Sequence, residues 1–223
     1  MEARLTGINE NEVLLYLGHR HGPVPPEVKA GIARCADVLL KAARPRVTYR
    51  QFRLLPGGAL EGTDFRPQGQ DIKNLLRDCD TVILFGATLG AEVEQLLRRA
   101  QVRNMADAVI LDCCGSSAIE NVCDNFCGDL AAEFAPRHLT DRFSPGYGDL
   151  PFAQQPDFCR ILDLSRRIGV SLSPGGLMIP QKSVTALLGV SDRPQKMRSR
   201  GCAYCNLFEN CTYRKEGKTC GNF

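Results

Sequence analysis

Ten residues beyond the middle of the chain, from Arg142 to Pro151, read RFSPGYGDLP. The ring of Pro145 fixes its backbone φ, and Gly146 can adopt a positive φ or let a ligand approach its backbone. The segment therefore predicts a tight loop that presents an arginine and an aromatic ring. Such a loop can bind a carboxylate through Arg142 and cover a flat ring or a sulfonium with Tyr147. The alternative is an ordinary surface turn with an exposed arginine.

The elements that follow this loop occur in a defined order. A helical pattern over residues 157–168 is followed by a short strand at 169–172, a turn at 174–180 and an apolar strand at 183–190. Together with the pattern Arg-x3-Gly-Tyr, this order resembles the activation (reactivation) domain of cobalamin-dependent methionine synthase, over about residues 107–190. The resemblance implies a helmet-like α+β fold, in which helices flank a twisted antiparallel sheet.

The same resemblance implies a binding site for S-adenosylmethionine. Arg142 would pair with the methionyl carboxylate, and the backbone at Ser144 and Gly146 would contact the adenine or the methionyl amine. Tyr147 would pack against the ligand. Glu120 would take the ribose hydroxyls or the ammonium, with a solvated glutamate on a helix face as the alternative. No catalytic side chain is implied, because the chemistry belongs to the cofactors.

The function implied by the resemblance is the reductive methylation of cob(II)alamin on another protein. The chain lacks a cobalamin-carrier motif of the Asp-x-His-x-x-Gly type, so the corrinoid would belong to a partner, a methionine synthase or another corrinoid methyltransferase. An electron donor such as flavodoxin or ferredoxin would complete this enzyme system. One departure is clear: the tyrosine that follows the last strand in that family has no counterpart, since residues 193–196 are RPQK.

Composition is that of an ordinary soluble protein. The 223 residues are 43% hydrophobic and 24% charged, and the net charge of +3 does not by itself indicate a nucleic-acid or membrane partner. The N-terminal residues lack the apolar segment of a signal peptide, and no apolar run is long enough to span a bilayer. We therefore expect a cytoplasmic protein with reduced cysteines.

Helical and strand patterns alternate before the loop, which predicts a mixed α/β or α+β domain. The predicted helices cover residues 10–17, 26–43, 68–77, 90–99 and 105–134, and the predicted strands cover 47–54 and 81–86. Thr88 is expected to cap the helix over residues 90–99.

The eleven cysteines form two groups. Seven of them occur in apolar contexts and are expected to fill the core as small hydrophobic side chains: Cys35, Cys79, Cys113, Cys114, Cys123, Cys127 and Cys159. Of these, Cys123 and Cys127 are one helical turn apart and could share a metal, but the sequence supplies no further ligand near them. Core packing is the preferred interpretation.

The other four cysteines are concentrated near the C-terminus. Cys202, Cys205, Cys211 and Cys220 follow the spacing C-x2-C-x5-C-x8-C, which supplies four thiolates to one metal centre. We therefore expect two domains, an activation-domain-like unit at 1–192 and a metal-binding tail at 193–223. A segment this small needs a metal in order to fold.

Two metal centres fit this set of cysteines, a [4Fe–4S] cluster and a Zn²⁺ ion. The C-x2-C-x5-C core followed by an aromatic residue is similar to the cluster motif of certain iron–sulfur nucleases, which favours [4Fe–4S] over Zn²⁺. A cluster would give the protein its own electron carrier. Two other functions stay open: a basic, zinc-knuckle-type module that binds nucleic acid, or a docking subunit that binds a corrinoid protein without adenosylmethionine.

Overall fold

A four-stranded antiparallel sheet forms the centre of the fold, with strand order β1-β2-β6-β3. The computed structural model describes residues 2–19 and 22–194, together with Glu209 and Lys215. In this part of the chain the strands are β1 (Arg46–Arg53), β2 (Thr81–Thr88), β3 (His138–Leu139), β4 (Ser171–Leu172), β5 (Met178–Ile179) and β6 (Ser183–Ser191). The short strands β4 and β5 pair with each other in a separate antiparallel hairpin.

Helices cover the sheet on both faces. The described α-helices are α1 (Glu10–Tyr16), α2 (Pro26–Ala42), α3 (Gln70–Leu75), α4 (Ala91–Arg103), α5 (Met105–Phe134), α6 (Gln155–Leu162) and α7 (Leu164–Ile168). Apolar residues of α1, α2, α4 and α5 form one core cluster, and those of α3, α6 and α7 form the other. The fold is therefore a mixed α+β arrangement of three layers, as the sequence predicts.

The central strand β2 supplies both cores. Ile83 and Phe85 face the α5 side and Val82 and Leu84 face the other side, because successive side chains of a strand point to opposite faces. All eight residues of β2 are buried, which explains why the residues between Thr81 and Thr88 are all apolar or glycine. The register places Phe85 opposite Ala186 of β6.

Three sequence predictions need correction. The helix predicted over 157–168 is two helices, because Asp163 adopts a left-handed conformation (φ 50°) between α6 and α7. The helix predicted over 68–77 is shorter, Gln70–Leu75. Thr88 ends β2 and accepts the Gly90 N–H at 3.1 Å, but the residue at the N-cap of α4 is Gly90.

Of the predicted metal-binding tail, the described residues include only Arg193, Pro194, Glu209 and Lys215. Cys202, Cys205, Cys211 and Cys220 lie outside them, so their metal site and the domain division at residue 193 stay predictions. Within the described residues no helix combines the length and apolarity that crossing a membrane requires.

Candidate functional site

The loop at residues 142–151, called the motif loop below, is attached to the central sheet at its start. Phe143 donates its N–H to Leu187 O at 3.0 Å and accepts the Leu187 N–H at 2.8 Å, which adds a bridge to β6. The side chains of Phe143 and Leu150 are both buried in the core. The loop therefore has two buried anchors, and residues 146–149 between them are exposed at the surface.

Between the anchors the chain makes the tight turn that the sequence predicts. Gly146 has a φ of 90°, its N–H donates to Leu150 O at 2.9 Å, and Tyr147 N–H donates to Ser144 O at 3.0 Å. The Tyr147 side chain is 59% exposed. Since the Gly146 N–H is already bonded, only the carbonyl of this residue can serve as a backbone contact to a ligand.

The far end of the turn holds another element in place. The carboxylate of Asp149 accepts the N–H groups of Gln70 and Asp71, the latter at 3.0 Å. These are N–H groups in the first turn of α3, which lack partners within their own helix. Asp149 is thus a cap supplied from outside the helix, and it fixes the motif loop to α3.

Arg142 does not extend into solvent. Its Nη2 atom lies 2.9 Å from Glu120 Oε2 and 2.8 Å from Asp124 Oδ1, and its side chain is only 22% exposed. Glu120 and Asp124 are one turn apart on α5, so both carboxylates reach the same guanidinium. The structure brings together the two charged residues that the sequence analysis placed in one site, and adds Asp124.

The other terminal nitrogen of this arginine is in a different environment. Arg142 Nη1 is buried and has no hydrogen-bond partner in the described part of the chain. Burial lowers the pKa of this guanidinium, but the neighbouring Cys123 and Cys127 thiols and the two carboxylates raise it by more. The side chain therefore stays cationic, with one unsatisfied nitrogen facing inward.

The surface of α5 at this site is a ridge of four polar residues spaced one turn apart. Asp112, Ser116, Glu120 and Asp124 recur at intervals of four and form what we call the acidic ridge. At its other end Lys182 Nζ lies 2.9 Å from Asp112 Oδ1 and donates to Ser116 Oγ at 2.9 Å. Two cations from different segments therefore bind the same helix, about 12 Å apart along its axis.

The charge of Glu120 on this ridge raises the pKa of two tyrosines. Burial raises the pKa of Tyr147, and the negative charge of Glu120 raises it further. For Tyr16, burial again contributes most to a raised pKa, followed by Glu120 and Glu12. Each phenol is thus close enough to Glu120 to interact with its charge.

Sequence reasoning located part of this arrangement. Arg142, Glu120 and Tyr147 meet at one place, and Ser144 and Gly146 form the turn next to them. Asp124, Lys182 and Tyr16 were missed. The four-residue spacing of the acidic ridge could have predicted Asp124 from the sequence. Lys182 and Tyr16 are brought to this region only by the tertiary fold.

The buried cysteines behave as core residues. Burial raises the pKa of the Cys127 thiol to about 11 and that of Cys114 to about 12, so both are protonated at neutral pH. In the described residues no group of three or more histidine, cysteine or acidic side chains is placed to hold a metal. Four of the seven cysteines are buried in the core and the other three pack against it half-buried, which agrees with the predicted packing role.

Two cavities lie elsewhere on the molecule. One of about 790 Å³ has Arg53, Lys73 and Arg77 among its lining residues, and one of about 430 Å³ is lined in part by Arg50 and Arg160. Neither includes Arg142, Glu120 or Tyr147 in its lining. The motif loop is the candidate site because it combines the opposite charges of Arg142 and Glu120 with the exposed ring of Tyr147.

Comparison with known proteins gives one informative result. No protein-family model and no curated protein matches the chain. Among solved structures, the MetH reactivation domain bound to AdoHcy superposes with a TM-score of 0.61 at 13% sequence identity, over 85% of this chain and 75% of that one. The chain has the fold of that domain. At this identity the similarity to the MetH reactivation domain concerns architecture, and the function must be argued from the site.

Proposed function

We propose that this protein binds S-adenosylmethionine at the motif loop and acts in the reductive methylation of a partner's cobalamin. The observation that carries the proposal is the ion pair of Glu120 with Arg142 of the motif loop, which also exposes the Tyr147 ring, on a chain with the fold of the MetH reactivation domain. That domain is bound to AdoHcy, the product left when adenosylmethionine loses its methyl group. The partner would be a corrinoid-carrying methionine synthase or methyltransferase.

The residues present fit such a ligand by charge and shape. Adenosylmethionine carries a carboxylate, an ammonium, a sulfonium, a ribose and a flat purine. Arg142 supplies a cation for the carboxylate, since its neighbours keep the guanidinium charged. Glu120 supplies a carboxylate for the ammonium or the ribose, and the exposed ring of Tyr147 supplies a face for the sulfonium or the purine.

Binding of the carboxylate requires an exchange of partners at Arg142. Nη2 donates to Glu120 Oε2 at 2.9 Å and lies 2.8 Å from Asp124 Oδ1, so two protein carboxylates already occupy this nitrogen. Asp124 is the more exposed of the two, with a side-chain exposure of 67% against 37%. Its displacement costs least, because an exposed carboxylate regains water when it is released.

The contribution of the chain is positioning. When bound, adenosylmethionine would supply the methyl group, and a donor protein such as flavodoxin or ferredoxin would supply the electron to the partner's cobalamin. Arg142 and Glu120 would hold the amino-acid end, and Tyr147 would cover one side of the ligand. The bridge between Phe143 and Leu187 keeps the loop aligned with the sheet, so the bound methyl donor is presented in a fixed orientation.

We propose separately that the tail at residues 193–223 binds a metal through Cys202, Cys205, Cys211 and Cys220. The support is their spacing, which provides four thiolates within nineteen residues. A [4Fe–4S] cluster is favoured over Zn²⁺, and it would let the protein deliver its own electron. Iron, sulfide and zinc analysis after anaerobic purification distinguishes them: about four irons indicate the cluster, and one zinc indicates a structural role.

The proposed function is tested by titrating adenosylmethionine into the purified protein in a calorimeter. We expect saturable binding at micromolar concentrations, and loss of that binding in Arg142→Ala. A well-folded protein without binding would refute the adenosylmethionine site. Retention of partner docking without ligand binding would instead support a docking subunit.

A further inference from the structure

Tyr16 is the last residue of α1, the helix whose Val13 and Leu14 share a core cluster with α5. One turn earlier, Glu12 accepts a hydrogen bond from Ser117 Oγ at 2.7 Å, and Ser117 also accepts the Asn9 N–H at 3.0 Å. Residues four apart share a helix face, so Tyr16 stands on the same side as Glu12. Ser117 is in turn three residues from Glu120, which places Glu120 on the neighbouring part of α5.

The direction of the ring follows from helix geometry. Long side chains of a helix point back towards its N-terminus and cover the preceding turn. The Tyr16 ring is therefore directed over the contact between Glu12 and Ser117 and towards Glu120. The raised pKa of its phenol, caused by burial and then by Glu120, Glu12 and Tyr147, agrees with that direction.

Tyr16 is also accessible. It is 48% exposed and Tyr147 is 59% exposed, although both are large rings. One comes from α1 and the other from the motif loop, more than a hundred residues later in the chain. The charge of Glu120 raises the pKa of both phenols, so two half-exposed rings from distant segments are available within reach of one carboxylate.

We propose that Tyr16 is the second aromatic wall of the ligand site, where its ring packs against the purine of the ligand opposite Tyr147. The inference rests on the proposed function, since it names a further residue of that site. Tyr16 would also take the place of the tyrosine that follows the last strand in the resembling family, which residues 193–196 do not contain. Tyr16 is a binding residue and has no part in methyl transfer.

The test uses three variants and two ligands with the full-length protein. Tyr16→Ala removes the ring, Tyr16→Phe keeps the ring without the hydroxyl, and Leu40→Ala truncates an exposed side chain of α2 as a control. AdoHcy and adenosine are titrated into each, because adenosine has the purine but lacks the amino-acid end. We expect Tyr16→Ala to weaken both ligands about tenfold, and the other two variants to bind within about twofold of wild type.

A spectroscopic signal reports the ring directly. The chain has five tyrosines and no tryptophan, so tyrosine emission is observable and stacking on a purine quenches it. Tyr16→Phe should bind AdoHcy normally but show a smaller quenching amplitude than wild type. This variant keeps the packing of α1 and needs no assumption about the folding of Tyr16→Ala.

The outcomes separate the inference from the function it rests on. If wild type binds AdoHcy and Tyr16→Ala binds it equally well, Tyr16 is not part of the site and the proposed function stands. Equal losses in Tyr16→Phe and Tyr16→Ala would refute the ring contact. If the folded wild-type protein binds neither ligand, the proposed function is wrong and the role of Tyr16 is refuted with it.

Discussion

Arg142 in the motif loop donates a hydrogen bond of 2.9 Å to Glu120 on α5, 22 residues earlier in the chain. The contact joins the loop with the proposed ligand-binding residues to the longest helix of the described chain. Because Glu120 also interacts with the phenols of Tyr147 and Tyr16, one carboxylate links three segments. A change at any of them is expected to alter ligand affinity.

Arg142→Ala should abolish adenosylmethionine binding, with a loss of affinity of roughly 100-fold or more, because a partly buried charge pair with the ligand disappears. Calorimetric titration measures the loss, and Arg166→Ala is the control, since Arg166 is an exposed arginine paired only with Asp163 in the described structure. Wild-type affinity in Arg142→Ala would exclude this arginine from the site.

Asp124→Asn should strengthen adenosylmethionine binding, by about threefold, because a neutral amide competes less well than a carboxylate for Arg142. The matched control is Asp129→Asn, on the same helix but paired with Arg4, which should leave the affinity unchanged. The direction of the change in affinity decides between the two roles of Asp124. Weaker binding in Asp124→Asn would mean that this carboxylate contacts the ligand and does not compete with it.

Gly86→Ala should destabilise the fold by about 1–3 kcal/mol, as overpacking usually does. A Cβ at this central position of β2 would lie 2.6 Å from Leu164 Cδ2. Gly128→Ala, at an exposed position of α5 with no atom within 4 Å of the new Cβ, should stabilise by about 0.5–1 kcal/mol. Urea denaturation measures both, and a neutral Gly86→Ala would show that α7 shifts at little cost.

The stability of the protein should decrease as pH rises above about 9. Burial raises the pKa of Cys114 from 9.0 to about 12, so in this range the folded state holds a proton that the unfolded state has lost. The contribution is complete below the unfolded pKa and is lost as pH rises through the folded one.

Denaturation of Cys114→Ala at pH 8 and pH 10.5 isolates this effect. The difference in unfolding free energy between wild type and Cys114→Ala should be smaller at pH 10.5. Val122→Ala, also fully buried on α5, should show the same difference at both pH values. Parallel behaviour of the two variants would assign the alkaline loss of stability to other groups.

The fold was predictable where one signal dominates. Helix α5 was predicted over 105–134 and is observed at Met105–Phe134, because a long periodic pattern begins at the capping side chain of Asn104. The break at Asp163 could not be read from the sequence, since the helical pattern continues across it. β3 was also invisible, because two residues are too few to show a period.

The candidate site was predictable only in part. The resemblance named Arg142, Tyr147 and Glu120, and the structure places them together. Tyr16 and Lys182 come from segments far away in sequence, and only the packing of α1 on α5 and the turn before β6 brings them to the ridge. Contacts of this kind depend on tertiary structure, for which a single sequence carries no local signal.

The acidic ridge also constrains how this protein can change in length. Lys182 binds the Asp112 end of the ridge and Arg142 binds the Asp124 end, so both contacts depend on one helical phase. A single residue inserted between Ser116 and Glu120 would rotate the two ends by about 100° relative to each other, and one of the cations would lose its partners. Insertions and deletions should therefore accumulate in the connections around α5, while the span from residue 112 to 124 keeps a fixed number of residues.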